Sequence, residues 1–391
     1  MPKFPFRPLL STLLLTACLP PALAQTAPDA GQILREQKPP APSRPSLAPE
    51  IRLTPPAPAP AASSDGPRFT LRAVELIGID EGEQALFSEI LQNAIGTEKN
   101  LADLQALAQQ LAERYRAAGW ALAAAWLPPQ TIRHGEAKIH LRKGQLSASE
   151  LQGHPHPGAQ RLLAALPTHA ALESSTLERT LLLIEEQPGV RAAQFELSPG
   201  TSEGTSQLRL TLPDPGPGHS HRLSADNHGS YYSGQTRLGL RTRLDNPLNL
   251  SDRLDLSLIG SEGNTWSEQI DWNTLLASNG LRGGLRIASV RYELGETYKK
   301  LDAHGIANTL GANLSAPLWR RFGAALDLGL EYEHRWLSDK NNIAEDNNKE
   351  IDNLTLSLSG QLRDAGGVSA WSLGSVLNQS NETMPYATDV K

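Results

Sequence analysis

The sequence predicts a multidomain exported protein: a signal peptide, two small α/β units of order β-α-α-β-β, then part of an antiparallel transmembrane β-barrel. Three observations predict it. A basic, then apolar leader ends in Ala22-Leu23-Ala24. Two stretches between residues 68 and 213 repeat one order of strand-like and helix-like patterns. From Gly234 to Leu377 the chain alternates apolar and polar residues in runs of about ten, separated by turn residues. The cleanest run sets Phe322, Ala324, Leu326, Leu328, Leu330 and Tyr332 against Gly323, Ala325, Asp327, Gly329 and Glu331. A period of two puts one set on each face of a strand. Phe322 and Tyr332, at ~3.3 Å per residue and a tilt of ~40°, lie roughly 25 Å apart along a membrane normal, the height of an outer-membrane apolar band.

The leader reads as an export signal over residues 1–24. Lys3 and Arg7 are its basic region, Leu9 to Leu19 its apolar core, and cleavage is expected before Gln25. The single cysteine, Cys18, falls inside it, so the exported chain would carry no disulfide. Leu15-Thr16-Ala17-Cys18 also fits a lipoprotein processing box, but a barrel needs no second anchor. After the leader no apolar run reaches the length of a membrane-crossing helix. The net charge of −6 gives no reason to expect nucleic-acid binding.

Residues 25–38 hold one short helical pattern, Asp29 to Gln37, with Asp29 as N-cap and Ile33 and Leu34 on its apolar side. Residues 39–67 are dense in Pro, Ala and Ser and form an extended spacer. The first α/β unit, 68–143, takes its strands from Phe69–Ile77, Ala121–Leu127 and Glu136–Arg142. Its helices come from Glu83–Ile95 and Leu101–Ala118, the latter striped by Leu104, Leu107, Ala108, Leu111 and Tyr115 and ended by Gly119. The second unit, 144–213, repeats the order: Gln145–Leu151, Ala159–Leu166, Thr176–Glu186, Val190–Leu197 and Gln207–Leu212. Such a unit leaves a sheet edge beside a helix, which can accept an extended peptide by strand addition.

Residues 219–391 should contain about nine strands, centred near Leu223, Leu240, Leu256, Ile270, Ile287, Leu310, Leu328, Leu356 and Leu373. Short turns are expected at Asp245–Asp252, Ala277–Gly280, Pro317–Arg320 and Asp364–Gly367, and longer loops at Leu294–Asp302 and Ser338–Lys349. Barrels of this kind keep short turns in the periplasm and long loops outside. Arg237, Arg241 and Arg243 share one face of a strand. They would either make the lumen wall locally positive or pair with Asp255 and Asp271 on neighbouring strands. Trp319, Trp336 and Trp371 sit at strand ends and suit interfacial girdles, whereas Trp120 and Trp126 suit packing in the first unit.

No catalytic constellation is expected. There is no phosphate-cradling glycine loop, nucleophile elbow or His-Glu-x-x-His helix, and adjacent acids such as Glu185-Glu186 do not share a helix face. His154-Pro155-His156-Pro157 and His219-Ser220-His221 read as solvated loop histidines rather than metal ligands. No cofactor is expected.

By residue and order the chain resembles the two-partner secretion transporters of Gram-negative bacteria. Asp29-Ala30-Gly31-Gln32-Ile33-Leu34-Arg35-Glu36-Gln37 is similar to the family's plug helix. Tyr115, Gly119, Trp120, Pro128, Gln130 and Gly135 are similar to its first POTRA pattern, with Trp120 where the family usually has Tyr. Asp226-Asn227, Gly229, Gly234, Asp245-Asn246-Pro247-Leu248 and Asp252 resemble the start of its barrel. The resemblance implies two periplasmic POTRA domains and a 16-stranded antiparallel transmembrane β-barrel in the cell outer membrane. It implies a transporter, not an enzyme. The POTRA residues would bind a secreted exoprotein bearing an N-terminal secretion domain, and Ile33 and Leu34 would belong to a removable plug. The chain supplies about nine strands and lacks the family's Val-Arg-Gly-Tyr motif and terminal aromatic, so a C-terminal truncation is expected. An outer-membrane assembly insertase, or a small structural or adhesive barrel, are the rival readings.

Overall fold

The computed structural model describes residues 29, 51–53, 66–343, 346–364 and 366–383. Ile33, Leu34, the expected leader and most of the Pro-rich spacer lie outside the described residues. A short strand within the spacer, β1 (Ile51–Leu53), is described and returns below.

The first unit runs β2 (Phe69–Thr70), β3 (Ala73–Ile77), a 3-10 segment Glu81–Phe87, α1 (Ser88–Ala94), β4 (Glu98–Lys99), α2 (Leu101–Ala117), β5 (Ala124–Trp126) and β6 (Glu136–Arg142). α2 starts where Asn100 and Asp103 exchange side-chain-to-amide bonds of 2.9 Å each, a reciprocal cap. Its expected stripe, Leu104, Leu107, Ala108, Leu111 and Tyr115, is buried against the sheet. The continuous strand expected over Phe69–Ile77 is split instead. Leu71 turns into the core, and the Arg72 amide donates to the Gly135 carbonyl, which frees β2 to pair with β4.

The second unit is β7 (Gln145–Gly153), α3 (Pro157–Ala164), α4 (Ser174–Glu185), β8 (Gln194–Pro199) and β9 (Thr205–Leu212). Both units have one topology. The first strand pairs parallel with the last, and the middle strand pairs antiparallel with it, giving β3-β6-β5 and β7-β9-β8. Each has its own apolar core.

Nine antiparallel strands follow, each paired to its sequence neighbour: β10 (His219–Asp226), β11 (Arg237–Asp245), β12 (Arg253–Ser261), β13 (Trp266–Leu275), β14 (Arg282–Glu293), β15 (His304–Arg321), β16 (Ala324–Lys340), β17 (Asn347–Asp364) and β18 (Gly367–Thr383). Every expected strand centre falls inside one of them. One face is apolar and exposed, as at Leu328, Leu330, Tyr332 and Trp336, while Asp327 and Glu333 on the other face are nearly buried. That is the alternation of a barrel wall, lipid outside and lumen inside. The turn expected at Pro317–Arg320 lies instead at Phe322-Gly323. A register shift between Pro317 and Trp319 lets β15 run past the proline, whose missing N–H the bulge accommodates.

Candidate functional site

The six residues of the first unit's motif shape its surface from beneath. Tyr115 is fully buried, meets Phe87 edge-to-face at 4.9 Å and donates its hydroxyl to Glu83. Burial alone would push the Glu83 carboxyl up. The Tyr115 hydroxyl, the Lys143 ammonium and the Asp80 amide outweigh it and hold the group below the ordinary carboxylate range. Burial, and then Glu83, push the Tyr115 phenol up. Gly119 ends α2 at φ +105°, and its carbonyl accepts the Ser174 amide at 2.8 Å, tying the first unit to the start of α4. Trp120 packs on the core under the Lys143 ammonium, 4.7 Å from the ring centroid. Pro128 leads into Gln130, whose amide brackets Lys138 of β6: it donates to the carbonyl at 2.7 Å and accepts from the N–H at 2.8 Å. The side chain thus replaces a strand where β5 is too short to reach. Gly135 at φ +79° lies against the Thr70 carbonyl, where a Cβ would come within 2.3 Å.

The edges of the two units differ. β5 is an outer strand beside α2. Its counterpart β8 is already paired, in parallel, with β1 through Ile51↔Phe195, Arg52↔Glu196 and Leu53↔Leu197. Among the described residues the expected free edge therefore exists in the first unit, and the spacer strand β1 occupies it in the second.

The second unit docks on the short-turn end of the barrel sheet. The turn after β11 is fixed by Asp252, which is fully buried and accepts the Leu248 and Leu250 amides and the Trp272 indole N–H. α3 abuts this turn so closely that a Cβ on Gly158 would lie 2.1 Å from Ser251 Oγ. His156 caps α3, accepting the Ala159 amide on Nδ1 at 3.2 Å, with Nε2 2.9 Å from the Pro188 carbonyl. Burial pushes its pKa below the ordinary value. From α4, Arg179 donates to the Pro317 carbonyl at 2.6 Å and the Asn279 carbonyl at 3.0 Å, while Glu178 takes the Phe322 amide and Arg321. Arg320 of β15 is 4% exposed and joins Glu186 at 2.8 Å to Asp327 at 2.6 Å. Arg282 bridges Gln187 and the Ser251 carbonyl.

The lumen wall is a cross-strand row of charges. Arg237 pairs with Asp226 at 2.8 Å and Arg243 with Asp255 at 2.9 Å, while Arg241 makes no ion pair among the described residues. Asp271 pairs with Arg286 at 2.6 Å, and Arg286 also reaches Glu331 and Glu333. The sequence reading missed Arg286 and Arg320. Their shared signal is an arginine at an inward position of a strand, visible only once the register is known. At the other end Tyr292 faces inward and donates to Asp339 at 2.6 Å.

Residues 69–144 match a model of the ShlB-type POTRA domain, and residues 204–361 match the haemolysin secretion/activation protein ShlB/FhaC/HecB. The chain belongs to this family of two-partner secretion transporters. It is 30% identical over 343 residues to the heme/hemopexin transporter protein HuxB of Haemophilus influenzae Rd, covering 83% of this chain and 59% of that protein. It is 31% identical to HuxB of strain 86-028NP over 81% of this chain and 58% of the relative. The chain thus spans somewhat over half the length of these relatives. Among solved structures, CdiB from Escherichia coli superposes with a TM-score of 0.61 at 19% identity, covering 85% of this chain and 62% of that one. CdiB from Acinetobacter baumannii gives 0.55 at 17%, covering 81% and 63%. The family places the barrel in the outer membrane and the POTRA domain in the periplasm, so the short-turn end faces the periplasm.

Proposed function

We propose that this protein is an outer-membrane transporter that captures an unfolded exoprotein in the periplasm and exports it through its β-barrel. The observation that carries the reading is the joint between the second α/β unit and the periplasmic turns. It fixes the second unit, to which the first is tied through Gly119 and Ser174, at the mouth of a sheet with a charged inner wall and an apolar outer wall. The exoprotein adds as a strand to β5, whose conformation the motif residues Tyr115, Gly119, Trp120, Pro128, Gln130 and Gly135 hold in place. At β8 it must first displace β1. The chain then passes as an extended polypeptide along Arg237, Arg241 and Arg243, whose cations hydrogen-bond to peptide carbonyls in transit. Folding outside the cell makes return unfavourable, so no nucleotide is consumed. The segment containing Ile33 and Leu34 plugs the lumen at rest, a role that rests on the resemblance of Asp29 to Gln37 to the family's plug helix. HuxB is named a heme/hemopexin transporter protein; the cargo here is accordingly a large secreted protein of the haemolysin, haemagglutinin or haem-acquisition kind.

A photo-crosslinker at Ala125 in β5, introduced in cells that express the exoprotein encoded beside this gene, tests the reading. Crosslinked exoprotein intermediates are expected while export runs. Their absence, with export intact, would refute capture at this edge.

A further inference from the structure

The outward face of the sheet carries a surface that export does not use. At the end away from the α/β units, Trp266, Arg291, Ile306 and Ser338 stand side by side on β13 to β16. One pair further out come Glu293, His304 and Lys340. They line a groove of about 690 Å³ whose side is closed by Asn264 of the turn before β13. These residues face outward because Arg286, Tyr292 and Asp339, of opposite parity, face the lumen.

Three tiers follow one another down this face. The outermost is cationic. Arg291 is exposed and has no ion pair among the described residues. Lys340 holds only the half-exposed Asp346, at 2.7 Å. His304 anchors Nδ1 on the Asp302 carbonyl at 2.7 Å and keeps Nε2 free of that bond. The one acid of the groove wall, Glu293, accepts the Asn264 amide at 2.9 Å. The second tier, Glu268, Ser289 and Asn308, is polar, with the Ser289 hydroxyl 2.9 Å from Asn308 Oδ1. The third, Ile270, Ile287 and Leu310, is apolar and exposed. Trp266, half exposed, stands at the polar boundary as girdle aromatics do.

Cation, then hydrogen-bonding groups, then hydrocarbon is the inverse print of a phosphorylated glycolipid: phosphate, amide- and ester-linked sugar, acyl chain. We infer that this groove seats such a glycolipid from the outer leaflet. A phosphate lies between Arg291 and Lys340, the sugar on Trp266 and Ile306, and the acyl chains along Ile287 and Leu310. An outward wall bathed in lipid favours this occupant over a soluble anion, because only an amphiphile fills all three tiers. Arginine and lysine are both suited to phosphate, arginine through its planar fork and lysine as a point charge.

The purified full chain in detergent, titrated with bis-phosphorylated lipid A and read by native mass spectrometry, tests this. Monophosphoryl lipid A, phosphatidylethanolamine and inorganic phosphate are the comparison probes. Each exposed ion pair should be worth about threefold, so Arg291→Ala with Lys340→Ala weakens lipid A binding about tenfold. Phosphatidylethanolamine binding stays unchanged, and inorganic phosphate at millimolar concentration does not displace the lipid. Arg291→Lys with Lys340→Arg, which keeps both charges, recovers most of the loss; both sites are exposed, so all these chains keep their fold. Equal lipid A binding by the double alanine variant would overturn the inference. Displacement by inorganic phosphate would show a simple anion site instead.

Discussion

Arg320 couples the second α/β unit to the barrel, and removing its charge should open that joint. Its guanidinium is nearly sealed and spends its donors on Asp327 at 2.6 Å, Glu186 at 2.8 Å and the Trp319 carbonyl at 2.9 Å. Arg320→Met keeps most of the volume and removes every donor. The Asp327 carboxylate, 11% exposed, then loses the cation 2.6 Å away, and breaking a buried pair in this way costs about 3 kcal/mol. Glu186 is 44% exposed and rehydrates, so its share is about 0.5 kcal/mol. A local loss of about 3 kcal/mol raises the opening equilibrium roughly 100-fold. Hydrogen exchange of the amides in α4 and around Phe322-Gly323 should speed up by that factor while β3 and β6 keep their rates. Asp327→Asn in the Met background should recover most of the loss, and Glu186→Gln little of it. Exchange within threefold of the parent, or rescue by Glu186→Gln alone, would refute the reasoning.

Other consequences follow from the same contacts. Because burial depresses the His156 pKa, the folded state binds fewer protons than the unfolded one; its contribution is present above the ordinary pKa of 6.5 and is lost as pH falls below it. The second unit should therefore loosen by thermal melting as pH falls below 6.5, and His156→Asn, which keeps a cap, should flatten that slope. Glu83, also depressed, contributes above its ordinary value of 4.5 and loses that contribution as pH falls through its lowered folded value, so the first unit should weaken in acid and Glu83→Gln should not. Gly144→Ala, at φ +77° with a Cβ 1.8 Å from the Leu122 carbonyl oxygen, should cost at least about 2 kcal/mol, read as a lowered melting temperature of the isolated α/β pair. The nine-stranded sheet leaves β10 and β18 with one neighbour each among the described residues.

Much of the fold was legible in the sequence because its signals are local. Strict alternation located all nine barrel strands, and the stripe from Leu104 to Tyr115 located α2. Failures came where tertiary contacts overrode the pattern. Leu71 breaks a strand to reach the core, and β15 passes Pro317 by a bulge. The site was less legible. Gln130 stood out only by resemblance, and its strand-like grip on Lys138 needs the third dimension. Arg286 and Arg320 are single arginines in alternating runs; their partners lie 47 or fewer positions away across strands, or 134 away at the C-cap of α4. That β1 closes the β8 edge could not be read from a Pro-rich spacer at all.

The most direct test of capture is equilibrium binding between the isolated α/β pair, residues 66–213, and the N-terminal secretion domain of the exoprotein encoded beside this gene. The account predicts saturable micromolar binding that a proline at Ala125 abolishes and that adding residues 49–65, which bring β1 back to β8, weakens. No binding at micromolar concentration, or binding indifferent to the β5 proline, would contradict it.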